Sequence, residues 1–266
     1  MQKCDLNSLE LFLLNFKIPK YSTIIIHSSL FRFGILDGGI EAFYNMLRKV
    51  FDDSYTILMP TFTFSFSNSR FWNYYETKSE AGALTEFMRV KLPENRTVNP
   101  FHSICVDGPL REYFLKDMSD SSFGQNSIFD KLLKVNAYNL SLGIGFIGGA
   151  TFCHYAEELL RVPYRFYKTF PGIVIDSDDN HVKFDFKMYV RVIEKDYFYD
   201  NNWDLFWKDL QEKSLVNYQK FNNTAPILLM NTVDTHEFLT SKIIHNPYYL
   251  ANKINKTKDE PIKRTN

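Results

Sequence analysis

The sequence predicts an α/β fold with a layered central mixed sheet flanked by helices, and an antiparallel hairpin extension in the C-terminal third. Three observations lead there. Short β-branched runs recur, most of them closed by a proline or glycine. Stretches with apolar residues at helical spacing alternate with them. Two strand-like runs also flank the turn-forming Ser177, Asp178, Asp179 and Asn180.

In chain order, Leu6, Leu9, Leu13 and Phe16 share one face of a helix predicted over Asp5 to Phe16, and Pro19 closes it before the strand Thr23 to Ile26. A polar, glycine-bearing stretch from His27 to Gly39 leads into a helix from Ile40 to Phe51. Tyr55 to Met59 is the next strand, ended by Pro60. A long loop rich in Phe, Ser and Asn follows, then a short helix from about Gly82 to Leu92; loops of this length usually carry function. Ser103 to Val106 and Asn139 to Gly143 are further strands, separated by helices at Pro109 to Phe114 and Ser127 to Val135. The hairpin is predicted from Gly172 to Asp176 and from His181 to Val192. Helices at Trp203 to Leu215 and Asn231 to Ile244 surround a last strand, Ile227 to Met230. One domain over residues 1–251 is expected, with the polar, lysine-rich stretch 252–266 as a disordered tail.

The charge balance narrows the partners. Thirty-one basic and thirty-one acidic residues cancel, so no global field draws the chain to nucleic acid or to an anionic membrane, and any anion must be held by a local site. Cys4, Cys105 and Cys153 form no CxxC pair and are too few for a disulfide scaffold. Asp5 and Glu10 interrupt what would be the apolar core of a signal peptide, and no run is long enough to span a bilayer. A cytoplasmic protein is expected.

Three segments could carry chemistry. From Leu140 to Glu158 the chain reads LSLGIGFIGGATFCHYAEE, a strand that ends in glycines and gives way to a helix. His154 and Glu157 stand at i and i+3 there, so one helical face can hold both, and the carboxylate can orient the imidazole. The second segment is the βα turn His27, Ser28, Ser29, Leu30, Phe33, Gly34 and Gly39, whose hydroxyls and amides suit a phosphate or a polar chain. It matches neither a Walker motif nor GxGxxG. The third is the loop Asn95 to Ser103, with Arg96, His102 and Ser103 close together.

Taken together, these segments resemble in order and spacing the aminoglycoside 3-N-acetyltransferase family. The resemblance rests on His27, Ser29, Leu30, Gly38 and Gly39; on Met59 to Phe62; and on Gly82, Glu86 and Arg89. It continues through Arg96, Thr97, Pro100, His102 and Ser103, through Ser127 and Leu132, and through Leu142, Gly143, Thr151, His154 and Glu157. It covers about residues 20 to 170. Asn99 stands where the family typically has histidine before proline. The resemblance implies acetyl-CoA as donor and a small-molecule amino sugar as acceptor, with a homodimer compatible. Donor contacts are then expected from His27, Ser28, Ser29, Leu30, Phe33, Gly34, Gly39, Thr61, Arg96, His102 and Ser103, and acceptor contacts from Thr63, Thr151, Glu158, Arg161 and Arg165. No metal ligand is expected.

On this reading His154 deprotonates the acceptor ammonium, Glu157 holds the ring, and the free amine attacks the thioester directly. An acyl-enzyme on Cys153 is the rival route, but neighbours on a helix point about 100° apart, which places the thiol poorly for that histidine. Arg161, Arg165 and Lys168 crowd the end of the helix that carries His154, with no acidic residue after them until Asp176, which favours an amino sugar carried on a nucleotide for surface polysaccharide synthesis. An aminoglycoside antibiotic as acceptor is the alternative. A metal-dependent hydrolase and a CoA-binding module without turnover are the readings from other classes.

Overall fold

A computed structural model describes residues 3–116 and 119–256. Its centre is a six-stranded sheet in the order Asn217–Phe221, Ala225–Asn231, Tyr138–Leu142, Thr23–Ser28, Thr56–Pro60, Ile104–Asp107. The three middle strands are parallel and the strands beyond them run antiparallel, so the sheet is mixed, as expected. Alternation along Thr23–Ser28 divides the core. Ile24 and Ile26 face Leu9, Leu13, Phe43, Leu47 and Met88 from helices Leu6–Leu14, Gly39–Val50 and Ala83–Lys91. Ile25 faces the other way, toward Phe129, Leu132, Ala156, Phe206 and Leu239 from helices Ile128–Lys134, His154–Leu159, Trp203–Glu212 and Thr232–His245.

Local chemistry sets the element ends. Asp5 caps the first helix by accepting from the Asn7 amide at 3.1 Å, and Asn231 caps the last by accepting from Val233 and Asp234 at 2.9 and 3.1 Å. Gly143 ends its strand at φ 68°, and a Cβ there would stand 2.5 Å from the Ser29 carbonyl oxygen.

A second sheet joins Phe71–Asn73 to the hairpin Arg165–Ile175 and His181–Arg191, packed over Phe66, Trp72, Tyr74, Phe101, Phe170, Val174 and Phe186. The hairpin is longer than its turn chemistry predicted. Its first strand begins at Arg165, so Arg165 and Lys168 lie on a strand and not at the end of the catalytic helix. The expected tail is also corrected in part. Ala251–Asn255 forms a strand paired antiparallel with Tyr197–Asn201, because the backbone of a two-stranded ribbon pairs without needing an apolar face. Residues 257–266 lie outside the described residues. Among the described residues no helix is long and apolar enough to cross a membrane.

Candidate active site

The strand Tyr138–Leu142 delivers the segment that carries His154 and Glu157. After Gly143 the chain makes two short helical turns, Phe146–Gly149 and Ala150–Cys153, before the helix His154–Leu159. Asn139 ties this excursion to the sheet by donating to the Gly149 carbonyl at 2.5 Å.

His154 and Glu157 meet as their spacing predicted. The imidazole Nδ1 is bonded to Glu157 Oε2, and Glu157 Oε1 accepts from the Tyr164 hydroxyl at 2.6 Å. Arg165 Nε lies 3.0 Å from the same Oε1 as an ion pair, without the alignment of a hydrogen bond. The rest of the guanidinium is held by the Tyr189 carbonyl at 3.1 Å and Asn201 Oδ1 at 3.1 Å. With a proton on Nδ1 directed at Glu157, the 3.2 Å approach of Arg165 Nη2 to that nitrogen is a contact between two donors. Nε2 then keeps a free lone pair.

The electrostatics agree with a neutral base. Burial, reinforced by Arg165, pushes the His154 pKa down, with Glu157 opposing. Burial alone would raise the Glu157 pKa, but Arg165, His154 and the Tyr164 hydroxyl outweigh it and hold the carboxyl well below its usual range. His154 is 17% exposed and its ring rests between Phe123 at 5.1 Å and Trp203 at 5.6 Å. Cys153 next to it is buried, which pushes its thiol pKa up and makes it a poor nucleophile at neutral pH.

Two neighbouring cavities lie here. One, of about 560 Å³, is lined by His154, His102, Phe123, Thr151, Arg165 and Lys168 among others. The second, of about 350 Å³, opens at the carboxyl ends of two central strands and is lined by His27, Ser28, Pro60, Phe62, Thr85 and Gly148. Phe64 and Thr151 line both, so the two are neighbours that share a wall, with His154 lining the larger.

The remaining expected site residues divide. His27, Ser28 and Thr151 line the second cavity. Leu30, Phe33, Gly34 and Gly39 are not among its lining residues. The single turn Leu30–Phe33 carries the chain away from it, Phe33 packs on Phe43 at 5.5 Å, and Gly39 begins a helix. The Ser29 amide is committed to the Leu142 carbonyl at 2.8 Å.

Arg96, expected among the donor contacts, is instead a buried strut. It is 1% exposed and stacked over Trp72 at 4.6 Å. It donates to the carbonyls of Tyr74, Thr77 and Thr61 at 3.1, 2.6 and 3.0 Å and to Ser103 Oγ at 3.0 Å. Thr61 and Ser103 are bonded to each other at 2.9 Å beneath it, and Thr63 Oγ1 lies 3.4 Å from its guanidinium, so all three hydroxyls belong to this strut.

Arg161 and Arg165 are not unmatched charges either, because the helix just before them carries Glu157 and Glu158 and the fold turns the arginines back toward these carboxylates. Arg165 faces Glu157, and Arg161 lies over Tyr167 at 4.7 Å in a hollow shared with Glu158 and Asp130. Glu158 itself accepts from Ser121 Oγ at 2.7 Å and from the Tyr167 hydroxyl at 3.0 Å. Sequence reasoning missed Tyr164, Asn201, Trp203 and Phe123. Tyr164 stands beside a singled-out arginine and could have been found, whereas the other three carry no local signal.

Comparison with known proteins finds similarity along most of the chain. The family model described as aminoglycoside 3-N-acetyltransferase matches residues 25–243. The SPbeta prophage-derived aminoglycoside N(3')-acetyltransferase-like protein YokD of Bacillus subtilis (strain 168) is 26% identical over 171 residues, which are 56% of this chain and 62% of that relative. The matched stretch thus spans less than two thirds of the curated relative. The crystal structure of YokD superposes with a TM-score of 0.72 at 21% identity, covering 91% of this chain and 99% of that one. AAC-IIIb, solved as a binary complex with CoASH, gives 0.74 at 17% identity, covering 90% and 96%. A variant of aminoglycoside acetyltransferase AAC(3)-IVa in complex with a gentamicin gives 0.76 at 20% identity, covering 94% and 92%.

Proposed function

The chain belongs to the aminoglycoside 3-N-acetyltransferase family, and from that premise we propose that it transfers the acetyl group of acetyl-CoA to an amine of an aminoglycoside-type amino sugar. The observation that carries the reading is the His154–Glu157 pair beside the larger of two neighbouring cavities, with Nε2 free to take a proton. The donor is a substrate of the reaction, and AAC-IIIb, a structural neighbour, is known with CoASH bound. The cavity at the sheet edge suits a slender pantetheine chain. Its volume is about 350 Å³, and its polar groups are His27, Ser28, Thr85 and Thr151.

In this arrangement His154 Nε2 removes the proton that keeps the acceptor an ammonium, Glu157 stabilises the resulting imidazolium, and Tyr164 with Arg165 fixes Glu157. Asp130 and Glu158, in the hollow on the other side of Phe123, provide anionic groups for the further amines of such an acceptor. The test is CoA thiol release with purified protein, acetyl-CoA and a panel of aminoglycosides and nucleotide-linked amino sugars. Release that no amine stimulates would defeat the reading. Ser28→Ala is expected to raise the KM for acetyl-CoA about 3–10-fold, the worth of one hydroxyl hydrogen bond, and to leave the acceptor KM unchanged. The reverse split would exchange the two cavities.

One observation favours a second reading, a nucleotide-linked amino sugar as acceptor. Among the described residues, those lining the cavity around His154 include Arg165, Lys168 and Arg191 and no carboxylate. Lys168 stands over Phe170 at 5.1 Å and has no acidic partner among the described ion pairs, so it is the cation available to a phosphate. On this reading Lys168→Ala raises the KM of a nucleotide-linked amine at least about tenfold, the lower end of a charge-assisted hydrogen bond, and leaves that of an aminoglycoside unchanged. Efficient acetylation of aminoglycosides alone would reject it.

A further inference from the structure

His102 shares the acceptor cavity with His154, yet the general-base mechanism gives it no task. Its loop is fixed from within, because Asn99 Oδ1 accepts from the amides of Phe101 at 3.0 Å and His102 at 2.8 Å. The ring is 4% exposed and is held by Phe62 at 4.8 Å, Phe64 at 5.8 Å, Phe123 at 4.8 Å and Phe129 at 6.0 Å. Phe123 also touches the His154 ring, so the two imidazoles bracket one phenyl group in the wall of the acceptor cavity. Of the two ring nitrogens of His102, only Nδ1 is sealed off without a partner.

A neutral imidazole carries one proton, and burying that N–H without an acceptor forfeits a hydrogen bond. The favoured tautomer therefore has the proton on Nε2, where the ring borders the cavity. We infer that His102 is a second catalytic residue, whose Nε2–H donates to the acetyl carbonyl oxygen as that oxygen gains negative charge.

The inference rests on the acetyl-transfer reading. As the amine lone pair forms the C–N bond to the carbonyl carbon, the C=O π pair moves onto oxygen and is met by the His102 N–H. The proton that made the acceptor an ammonium has by then passed from His154 to solvent, and His154 takes the second proton from the nitrogen as the C–N bond forms. When C=O re-forms, the C–S bond breaks, and the sulfur leaves with its electron pair and receives that proton. His102 itself gains and loses nothing. Burial, with His154 nearby, pushes the His102 pKa down to about 3, so it stays neutral at working pH and does not repel the incoming ammonium.

The test compares wild type with His102→Phe, which keeps an aromatic ring in the phenyl cluster, and with His102→Gln, which restores an N–H near the same place. Turnover, the KM for acetyl-CoA and the infrared carbonyl stretch of bound, carbonyl-labelled acetyl-CoA are measured for each. His102→Phe is expected to lose about 10²-fold in kcat, the lower end for one oxyanion donor, with the KM within about threefold. The carbonyl stretch, lowered in wild type, should return to its free value, and His102→Gln should recover part of both effects. Wild-type turnover and an unchanged stretch in His102→Phe would overturn the proposal alone. Wild-type protein that neither binds acetyl-CoA nor releases thiol would overturn the acetyl-transfer reading with it.

Discussion

Replacement of His154 by alanine is expected to leave the fold intact and to lower kcat by at least ~10²-fold, the low end of what a positioned base contributes. The ring lies at the edge of the core, between Phe123 and Trp203 and beside a cavity, and Glu157 keeps Tyr164 and Arg165 when it is removed. Steady-state thiol release together with a circular dichroism melt checks both halves, and near-wild-type kcat would remove His154 from the mechanism. The pH profile carries a sign of its own. His154 must be neutral to act, and its pKa is lowered, so the acid limb should fall below the ordinary histidine value of about 6.5. Glu157 is the group that pulls this pKa up. Glu157→Gln should therefore move the limb to still lower pH, while reducing the plateau rate because the ring loses its anchor. A limb that stays in place would assign the orienting role to another group.

Arg96→Leu is expected to be the most damaging change outside the site. The guanidinium satisfies the main-chain carbonyls of Tyr74 and Thr77 in one segment and of Thr61 in another, and Thr61 also accepts from the Ser103 hydroxyl at 2.7 Å. The carbonyls of Tyr74 and Thr77 are left without a donor at about 1–3 kcal/mol each, so the total is about 2–6 kcal/mol. Urea unfolding of the two proteins measures it. If Arg96 bound the donor instead, the unfolding midpoint would hold and the KM for acetyl-CoA would rise.

The contrast between Arg96 and His154 explains what could be read from the chain. The pairing of His154 with Glu157 is local, fixed by one helical turn, and was legible before any fold was known. The strands Thr23–Ser28 and Thr56–Pro60 were equally legible, since their β-branched runs end at clear punctuation. Arg96 misled because an arginine beside hydroxyls and a histidine is the same string of letters whether it faces an anion or a ring of carbonyls. Burial decides between them, and burial is set by Trp72 and Tyr74 from another segment. The partners of Arg165 were hidden for a related reason. Its carboxylate lies across a turn at Glu157, and its amide partner, Asn201, comes from a strand 36 residues further on. The ribbon strand Ala251–Asn255 has exposed faces and leaves no hydrophobic period to detect.

That ribbon reaches back to the site. Asn201, which braces Arg165, is opposite Ala251, and the Asn202 amide is bonded to the Leu250 carbonyl at 2.8 Å. The bracing of Arg165 thus depends on a strand that begins fifty residues after Asn201, and a change in Ala251–Asn255 can loosen Arg165 without touching His154 or Glu157.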